Sequence, residues 1–263
     1  MSRRDEFFSL LVLGLTAAVA MAAPVPTAAA QTPGRGTIKG RVRLLGKLPG
    51  NVVLRMRGDR FCAQLNAGKQ VVQETVMAAL DGSLGNVFVR LDGSFPDTPV
   101  PAQPVTIDQR GCVYAPRVVG LRVGQTLQVR NSDDLLHNVH GVSARSNNFN
   151  VAQPMVGMVN QFRPKDEEVM LRLSCDIHSW MTSYIGVVNH PYFDVTGKSG
   201  TFEIRNVPPG RQTILAWHEV YGELKKSVVV TAGATATVDF DIPAREQPPA
   251  GDAGAPAGRR GGR

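Results

Sequence analysis

Short stretches in which apolar and polar residues alternate, or in which Val, Ile and Thr cluster, recur from residue 36 to residue 242. The clearest are TIKGRVRL, NVFVRL, TLQVRN, EEVMLRLSC, YIGVVN, TFEIRNV, QTILAWH, KKSVVVT and TATVDFDI. Glycine, proline, asparagine and aspartate separate them, as turns do. This spacing predicts an all-β protein built from sandwiches or barrels. No long amphipathic pattern is convincing, and residues 70–80 are the nearest candidate for a helix.

Both ends of the chain fall outside this pattern. Arg3 and Arg4 precede a short apolar run, and small residues follow it up to Ala30, which predicts a secretory signal peptide over residues 1–30. A membrane anchor is the alternative. Cleavage would leave a chain with no transmembrane span, periplasmic or secreted. Residues 244–263 are rich in proline, glycine and alanine, which predicts a disordered basic tail.

Composition and charge limit the classes of function that we expect. Hydrophobic residues make up 43% of the 263 residues, which is enough for a core. The net charge of +7 favours an anionic surface or an acidic protein as partner. Nucleic acid is not expected, because no basic residues interleave with aromatic ones on a folded face. No Ser/His/Asp arrangement or supported carboxylate pair indicates a hydrolase, so an enzyme is not expected.

The segment SCDIHSWM places three soft or borderline metal ligands in one loop between two strands. Cys175, His178 and Met181 offer a thiolate, an imidazole and a thioether, a set that favours copper. A trigonal copper site needs a second imidazole, and NSDDLLHNVHG offers His137 and His140. Each residue alone would more often be a packing or surface residue. Together they predict a site for one copper ion.

GQTLQVRNSDDLLHNV and SCDIHSWM together resemble the cupredoxins, blue-copper proteins of the amicyanin and plastocyanin type. The resemblance implies a Greek-key β-sandwich over residues 104–190. It implies an exported type 1 copper protein that carries single electrons. The ligands carried over by the motif are His137, Cys175 and His178 in the equatorial plane and Met181 as the weak axial ligand. The family motif His-Asn-Val selects His137 over its neighbour two residues on.

The resemblance also implies roles for neighbouring residues. Asn138 would link the two ligand loops. His178, on an exposed loop, would be the place where electrons pass to an unidentified redox protein. Ile177 and Trp180 flank it, and they either form an apolar docking patch or pack the loop. The remaining histidines are interpreted as structural or surface residues, namely His140, His190 and His218.

Three cysteines in an exported protein leave one unpaired. Disulfides persist outside the cytoplasm. If Cys62 and Cys112 pair, Cys175 stays free as the thiolate that a copper site requires. The pairing depends on how closely the fold brings the two backbones together.

Residues 193–243 have a different sequence pattern from the copper module. TFEI, VPPG and QTILAW resemble the carboxypeptidase regulatory-like, or carbohydrate-binding-like, β-sandwich of the prealbumin type. Residues 36–100 look like the first strands of that sandwich, which would make the copper module an insertion. Two domains in series are the alternative.

Two other functions are alternatives, and the second sandwich raises the first of them. One is a cell-envelope protein that binds a glycan. Against it, residues 195–242 offer only four aromatic residues, of which the alternating ones are expected to face inward: Phe202, Trp217, Tyr221 and Phe240. The other keeps the copper but uses it for storage or delivery.

Overall fold

The computed structural model describes residues 34–245. The predicted signal peptide, residues 1–30, and almost all of the predicted tail lie outside the described residues. Within the described range the strands, named in chain order, are β1 Gly36–Leu45, β2 Phe88–Asp92, β3 Val105–Gln109, β4 Tyr114–Ala115, β5 Val118–Arg122, β6 Leu127–Asn131, β7 His137–Val142, β8 Phe149–Gln153, β9 Val159–Phe162, β10 Glu168–Ser174, β11 Thr182–Val188, β12 Phe193–Val195, β13 Thr201–Val207, β14 Gly210–His218, β15 Gly222–Val230, β16 Thr235–Thr237 and β17 Phe240–Pro243. The prediction of an all-β fold is confirmed.

An outer sandwich is formed by strands from both ends of the described chain. In one sheet β1 pairs antiparallel with β13 and parallel with β16 and β17; the other sheet has the order β12-β2-β14-β15. The alternation in TIKGRVRL turns Ile38, Val42 and Leu44 into the core between the sheets. The chain therefore leaves the outer sandwich after β2 and returns to it at β12.

Between these two strands the chain forms a central sandwich. One sheet has the order β5-β11-β10-β7-β8, and the other has the order β4-β3-β6-β9. Leu127 and Val129 of β6 face Leu171 and Leu173 of β10 in one buried cluster, because residues two apart share a face of a strand. This core supports the ends of β7, β10 and β11, where the candidate ligands lie.

A cap, defined as residues 51–73, packs against the central sandwich. It contains a 3₁₀ turn, Met56–Gly58, and the single α-helix of the described chain, α1 Arg60–Leu65. Asp59 begins the helix, because its carboxylate accepts the backbone N–H groups of Phe61 and Cys62. No helix among the described residues is long and apolar enough to cross a membrane.

The helix considered for residues 70–80 is wrong. Val72 instead forms an isolated bridge with Val53, in extended backbone. The side chain of Asn51 donates to the carbonyl of Val76 and accepts its N–H, so both groups that a helix would use are taken. Val76 is buried in the outer core, which fixes this segment against the outer sandwich.

Candidate metal centre

Three neighbouring strand ends bring the candidate ligands to one end of the central sandwich. His137 is the first residue of β7, Cys175 directly follows β10, and Met181 directly precedes β11. Strand β10 pairs antiparallel with both β7 and β11, so these ends lie side by side. The turn-rich sequence between β10 and β11 then folds back over them.

Three ligand atoms converge in the buried space at this end. His137 Nδ1 lies 3.1 Å from His178 Nδ1, and His178 Nδ1 lies 3.6 Å from Cys175 Sγ. All three ligand atoms lie within 4.8 Å of one another. The residues are 0%, 1% and 3% exposed for His137, His178 and Cys175. The structure therefore brings together two imidazoles and the free thiol of the described chain.

These separations suit a shared metal ion. Metal–nitrogen bonds of about 2.0–2.1 Å and a metal–thiolate bond of about 2.3 Å, at tetrahedral angles, place two nitrogens about 3.3 Å apart. The same bonds place a nitrogen and a sulfur about 3.6 Å apart. The observed 3.1 and 3.6 Å are close to both values. Two imidazoles and a thiolate form a donor set suited to copper.

Met181 lies beside this set. Its side chain is 1% exposed and belongs to the same buried cluster as Cys175. Two backbone hydrogen bonds close the ligand loop: Met181 N–H donates to the carbonyl of His178 at 2.8 Å, and Cys175 N–H donates to the carbonyl of Met181 at 3.3 Å. These two hydrogen bonds within the loop hold its Cys, His and Met close together.

His140 lies outside the ligand group. Strand β7 alternates, so His137 and Val139 face inward while the ring of His140 reaches the surface. There its Nδ1 lies 2.8 Å from a carboxylate oxygen of Asp176, with both side chains partly exposed.

The expectation that His178 is exposed is wrong. Its side chain is 1% exposed, because the cap covers its outer edge. Sγ of Cys62 lies 3.6 Å from His178 Nε2, and Asp59 Oδ2 lies 3.3 Å from the same atom. The cap belongs to a distant part of the chain, and no sequence pattern around the ligand loop predicts that it packs there. Within the described part of the chain, the ring of His178 therefore has no solvent-exposed edge.

The two residues predicted as a docking patch are placed differently from each other. Ile177 is 46% exposed. Trp180 is partly buried, with its ring centroid 5.2 Å from that of His178 and its Nε1–H donating to the carbonyl of Cys112 at 2.9 Å. Trp180 therefore packs the loop against the buried cluster of Met56, Cys62 and Cys112, where the cap meets the central sandwich.

The cap is attached to the central sandwich by a disulfide. Cys62 of α1 is joined to Cys112 in the loop between β3 and β4, with the two Cα atoms 5.8 Å apart. Both sulfurs are buried beside the histidines. They are bonded to each other and are not free ligands, and Cys175 remains a thiol.

Asn138 and Tyr114 connect the two ligand segments. The side-chain oxygen of Asn138 accepts the backbone N–H of Asp176 at 3.2 Å, which links β7 to the ligand loop. The hydroxyl of Tyr114 lies within hydrogen-bonding distance of the carbonyls of Asn138 and Ser174, on both strands. The link from Asn138 follows the resemblance, whereas Tyr114 was not predicted.

Two carboxylates were also missed. Asp133 Oδ2 lies 3.0 Å from His137 Nε2, just as Asp59 meets His178. Asn131 shapes the loop that carries Asp133: its side chain accepts the N–H of Asp133 and donates to the carbonyl of Leu135. The sequence does hold a signal for Asp133, which lies four residues before a candidate ligand. It holds none for Asp59, which is 119 residues from His178.

The local electrostatics favour ionised groups in this buried place. Burial opposes ionisation of Cys175, but contacts with the imidazoles of His137 and His178 and with backbone N–H groups lower the pKa of the thiol to about 6. Burial also opposes ionisation of Asp133, yet hydrogen bonds from His137 and two backbone N–H groups lower its pKa. The N–H of Cys62 is the main cause that lowers the pKa of Asp59. The pKa of His137 is raised despite burial, chiefly by Asp133.

No protein-family model matches the chain, and no curated protein matches it. Among solved structures, a purple cupredoxin from Nitrosopumilus maritimus aligns over 31% of this chain and 97% of its own, at 19% identity and a TM-score of 0.28. An amicyanin variant in its Cu(I) form aligns over 38% of this chain and 97% of its own, at 18% identity and a TM-score of 0.29.

A copper-containing nitrite reductase from Thermus scotoductus aligns over 36% of this chain, at 19% identity and a TM-score of 0.31. This chain spans only 24% of that protein's length. These likenesses concern part of the fold alone. The carboxypeptidase regulatory-like character of the outer sandwich stays a prediction.

Proposed function

We propose that this chain is an exported type 1 copper protein that carries single electrons. The observation that carries the proposal is the buried convergence of His137 Nδ1, His178 Nδ1 and Cys175 Sγ, with Met181 in the same cluster. When held by two imidazoles, a thiolate and a thioether, copper supplies one-electron redox chemistry. The protein would act as a carrier for an unidentified redox partner and not as a catalyst.

The surrounding residues support electron transfer more than exchange of the metal. The ligand loop is closed by its own hydrogen bonds, and Asn138 ties it to β7. The cap and its disulfide shield the outer side of His178. A rigid, enclosed ligand set keeps one geometry, which suits an electron carrier. Storage or delivery would require the ion to leave easily.

A glycan-binding role is not favoured by the aromatic residues of the outer sandwich. Phe202, Tyr221 and Phe240 are 4%, 8% and 0% exposed, so they are core residues of the outer sandwich. Trp217 is partly buried with its ring centroid 5.2 Å from that of Tyr184. None of these four offers an exposed stacking surface.

The test is a visible absorption spectrum after addition of Cu(II). We expect an intense thiolate-to-copper band at one copper per chain, lost in Cys175→Ala and in His137→Ala. His140→Ala is the matched control, since its ring lies outside the ligand group on the same strand, and it should keep the colour. A colourless adduct, or colour that survives Cys175→Ala, contradicts the proposal.

A second measurement separates an electron carrier from a storage protein. The coloured protein is reduced and reoxidised repeatedly in the presence of a copper chelator. We expect the band to return fully in each cycle, because the ligands are buried. Progressive loss of copper to the chelator contradicts the carrier role and supports storage or delivery.

A further inference from the structure

The outer edges of the two ligand imidazoles meet carboxylates. Because both Nδ1 atoms face Cys175, both Nε2 atoms point away from the centre. His137 Nε2 lies 3.0 Å from Asp133 Oδ2, and His178 Nε2 lies 3.3 Å from Asp59 Oδ2. Each imidazole is therefore held between the candidate metal position and one acidic side chain.

Each carboxylate is itself fixed by backbone N–H groups next to a half-cystine. Asp59 Oδ1 accepts the N–H groups of Phe61 and Cys62 at 2.8 and 2.9 Å, which leaves Oδ2 for the histidine. Asp133 accepts the N–H groups of Gly111 and Cys112 at 2.7 and 2.8 Å. The Cys62–Cys112 disulfide thus joins the supports of the two carboxylates.

The two carboxylates reach their histidines from different parts of the chain. Asp133 and His137 belong to the same loop and strand of the central sandwich, four residues apart. Asp59 belongs to the cap, which enters from the outer sandwich. The cap is held in place by the disulfide and by the buried cluster of Met56 with the two half-cystines.

We propose that Asp59 and Asp133 are positioning residues of the candidate copper centre. Each carboxylate accepts the Nε2–H of its histidine and so keeps the Nδ1 lone pair of that ring facing Cys175. The cap, anchored by the disulfide, positions Asp59 beside His178. The proposal rests on the proposed function.

The physical reason lies in the imidazole itself. A neutral imidazole carries one N–H, and the other nitrogen holds the lone pair that can bind a metal. A carboxylate can only accept, so it fixes the proton on Nε2. It also raises the basicity of the ligand nitrogen, as partners of metal-bound histidines commonly do.

Asp59→Asn tests this with nearly unchanged shape. Two backbone N–H groups hold the inner oxygen of residue 59, so the amide must keep its oxygen there and turn its NH₂ toward His178 Nε2. Two donors cannot face each other. We expect His178 in the metal-free variant to move its proton to Nδ1, while His137 is unchanged.

The readout is the tautomer of each histidine in the metal-free, ¹⁵N-labelled protein, from long-range ¹H–¹⁵N spectra at mildly alkaline pH. Wild type should show Nε2–H on both His137 and His178. The matched control is Asp176→Asn, which removes a carboxylate that pairs with His140 in the same loop region. It should change neither ligand histidine. An Nδ1–H tautomer of His178 in wild type, or an unchanged His178 in Asp59→Asn, overturns the proposal.

A second variant tests the role of the cap. In Cys62→Ser combined with Cys112→Ser, the cap is no longer tethered, whereas Asp133 keeps its place beside His137. We expect the Nε2–H of His178 to exchange faster with water and that of His137 to keep its protection. Equal loss at both histidines, or no loss at His178, contradicts delivery of Asp59 by the tethered cap.

With copper added, Asp59→Asn should shift the reduction potential to a more positive value than wild type and Asp176→Asn, because the oxidised ion loses a nearby negative charge. Equal potentials in all three proteins contradict the positioning role. If none of them binds copper, the proposed function fails, while the metal-free tautomers still decide whether the carboxylates orient the imidazoles.

Discussion

The hydrogen-bond partners of the buried histidines separate candidate metal ligands from structural residues. His137 and His178 each meet a carboxylate at Nε2. His190 and His218 instead use Nδ1 to accept a backbone N–H, from Tyr192 at 3.2 Å and from Val220 at 3.1 Å. An Nδ1 that accepts cannot carry a proton, so these two rings are neutral. Their interpretation as structural residues agrees with these contacts.

Acid should destabilise the fold through the neutral histidines. Burial is the main cause that lowers the pKa of His218 to about 4, and Arg117 adds to it. The unfolded chain, with an ordinary histidine pKa of about 6.5, takes up a proton that the folded chain refuses. The stabilisation that neutral His218 contributes is therefore complete above about pH 6.5 and is lost as the pH falls to about 4.

The measurement is urea unfolding between neutral pH and about pH 4, for wild type and His218→Asn, whose side-chain oxygen can still accept the N–H of Val220. Wild type should lose about 3 kcal/mol more than the variant over this range. Parallel pH profiles for the two proteins would contradict the assignment of a neutral His218.

At the scale of elements, two glycines allow a strand of one sandwich to approach the other. The ring of Phe88, on β2, fits against Gly120 of β5 and Gly186 of β11. A Cβ at Gly186 would lie 2.4 Å from that ring, and a Cβ at Gly120 would lie 2.7 Å from it. Phe88 is fully buried there with Val118 and Val188. The glycines thus make room for packing between the sandwiches.

Gly186→Ala should destabilise the protein by about 1–3 kcal/mol, because the added methyl group overpacks the contact with Phe88. Gly197→Ala is the matched control, since nothing lies within 4 Å of a Cβ at that glycine. Thermal and urea unfolding of both variants give the comparison. Recovery of stability in Gly186→Ala combined with Phe88→Leu would identify the ring as the cause; equal stability of the two single variants would contradict it.

At the scale of the whole described molecule, a buried ion pair joins the two sandwiches. Arg117, between β4 and β5, pairs with both carboxylate oxygens of Glu219, in the turn between β14 and β15. Their side chains are 8% and 7% exposed. Together with the packing of Phe88, this pair fixes the central sandwich against the outer one.

Glu219→Ala should cost about 3–5 kcal/mol, because it leaves the charge of Arg117 buried without a partner. The control is Glu203→Ala, which breaks the more exposed pairs with Arg205 and Lys39 and should cost less than about 1 kcal/mol. Unfolding by denaturant measures both. Similar small losses in the two variants would show that the buried pair contributes little to the joint.

Much of this arrangement can be read from the sequence, where the causes are local. Period-two alternation predicts strands such as β1, β6 and β10, because one buried face imposes it. Three candidate ligands lie in one loop, so their spacing alone brings them together. The helix considered for residues 70–80 fails because Asn51, far along the chain, takes the backbone groups of Val76.

The sequence by itself determined the all-β class and the donor types of a copper site: a Cys with His and Met in one loop, and a second His after another predicted strand. Only the tertiary structure decided the surroundings of that site. The cap, with Asp59 and Cys62, reaches His178 from more than a hundred residues away, at separations that leave no local pattern. Burial of His178 follows from that long-range packing, and the loop alone would have left it exposed.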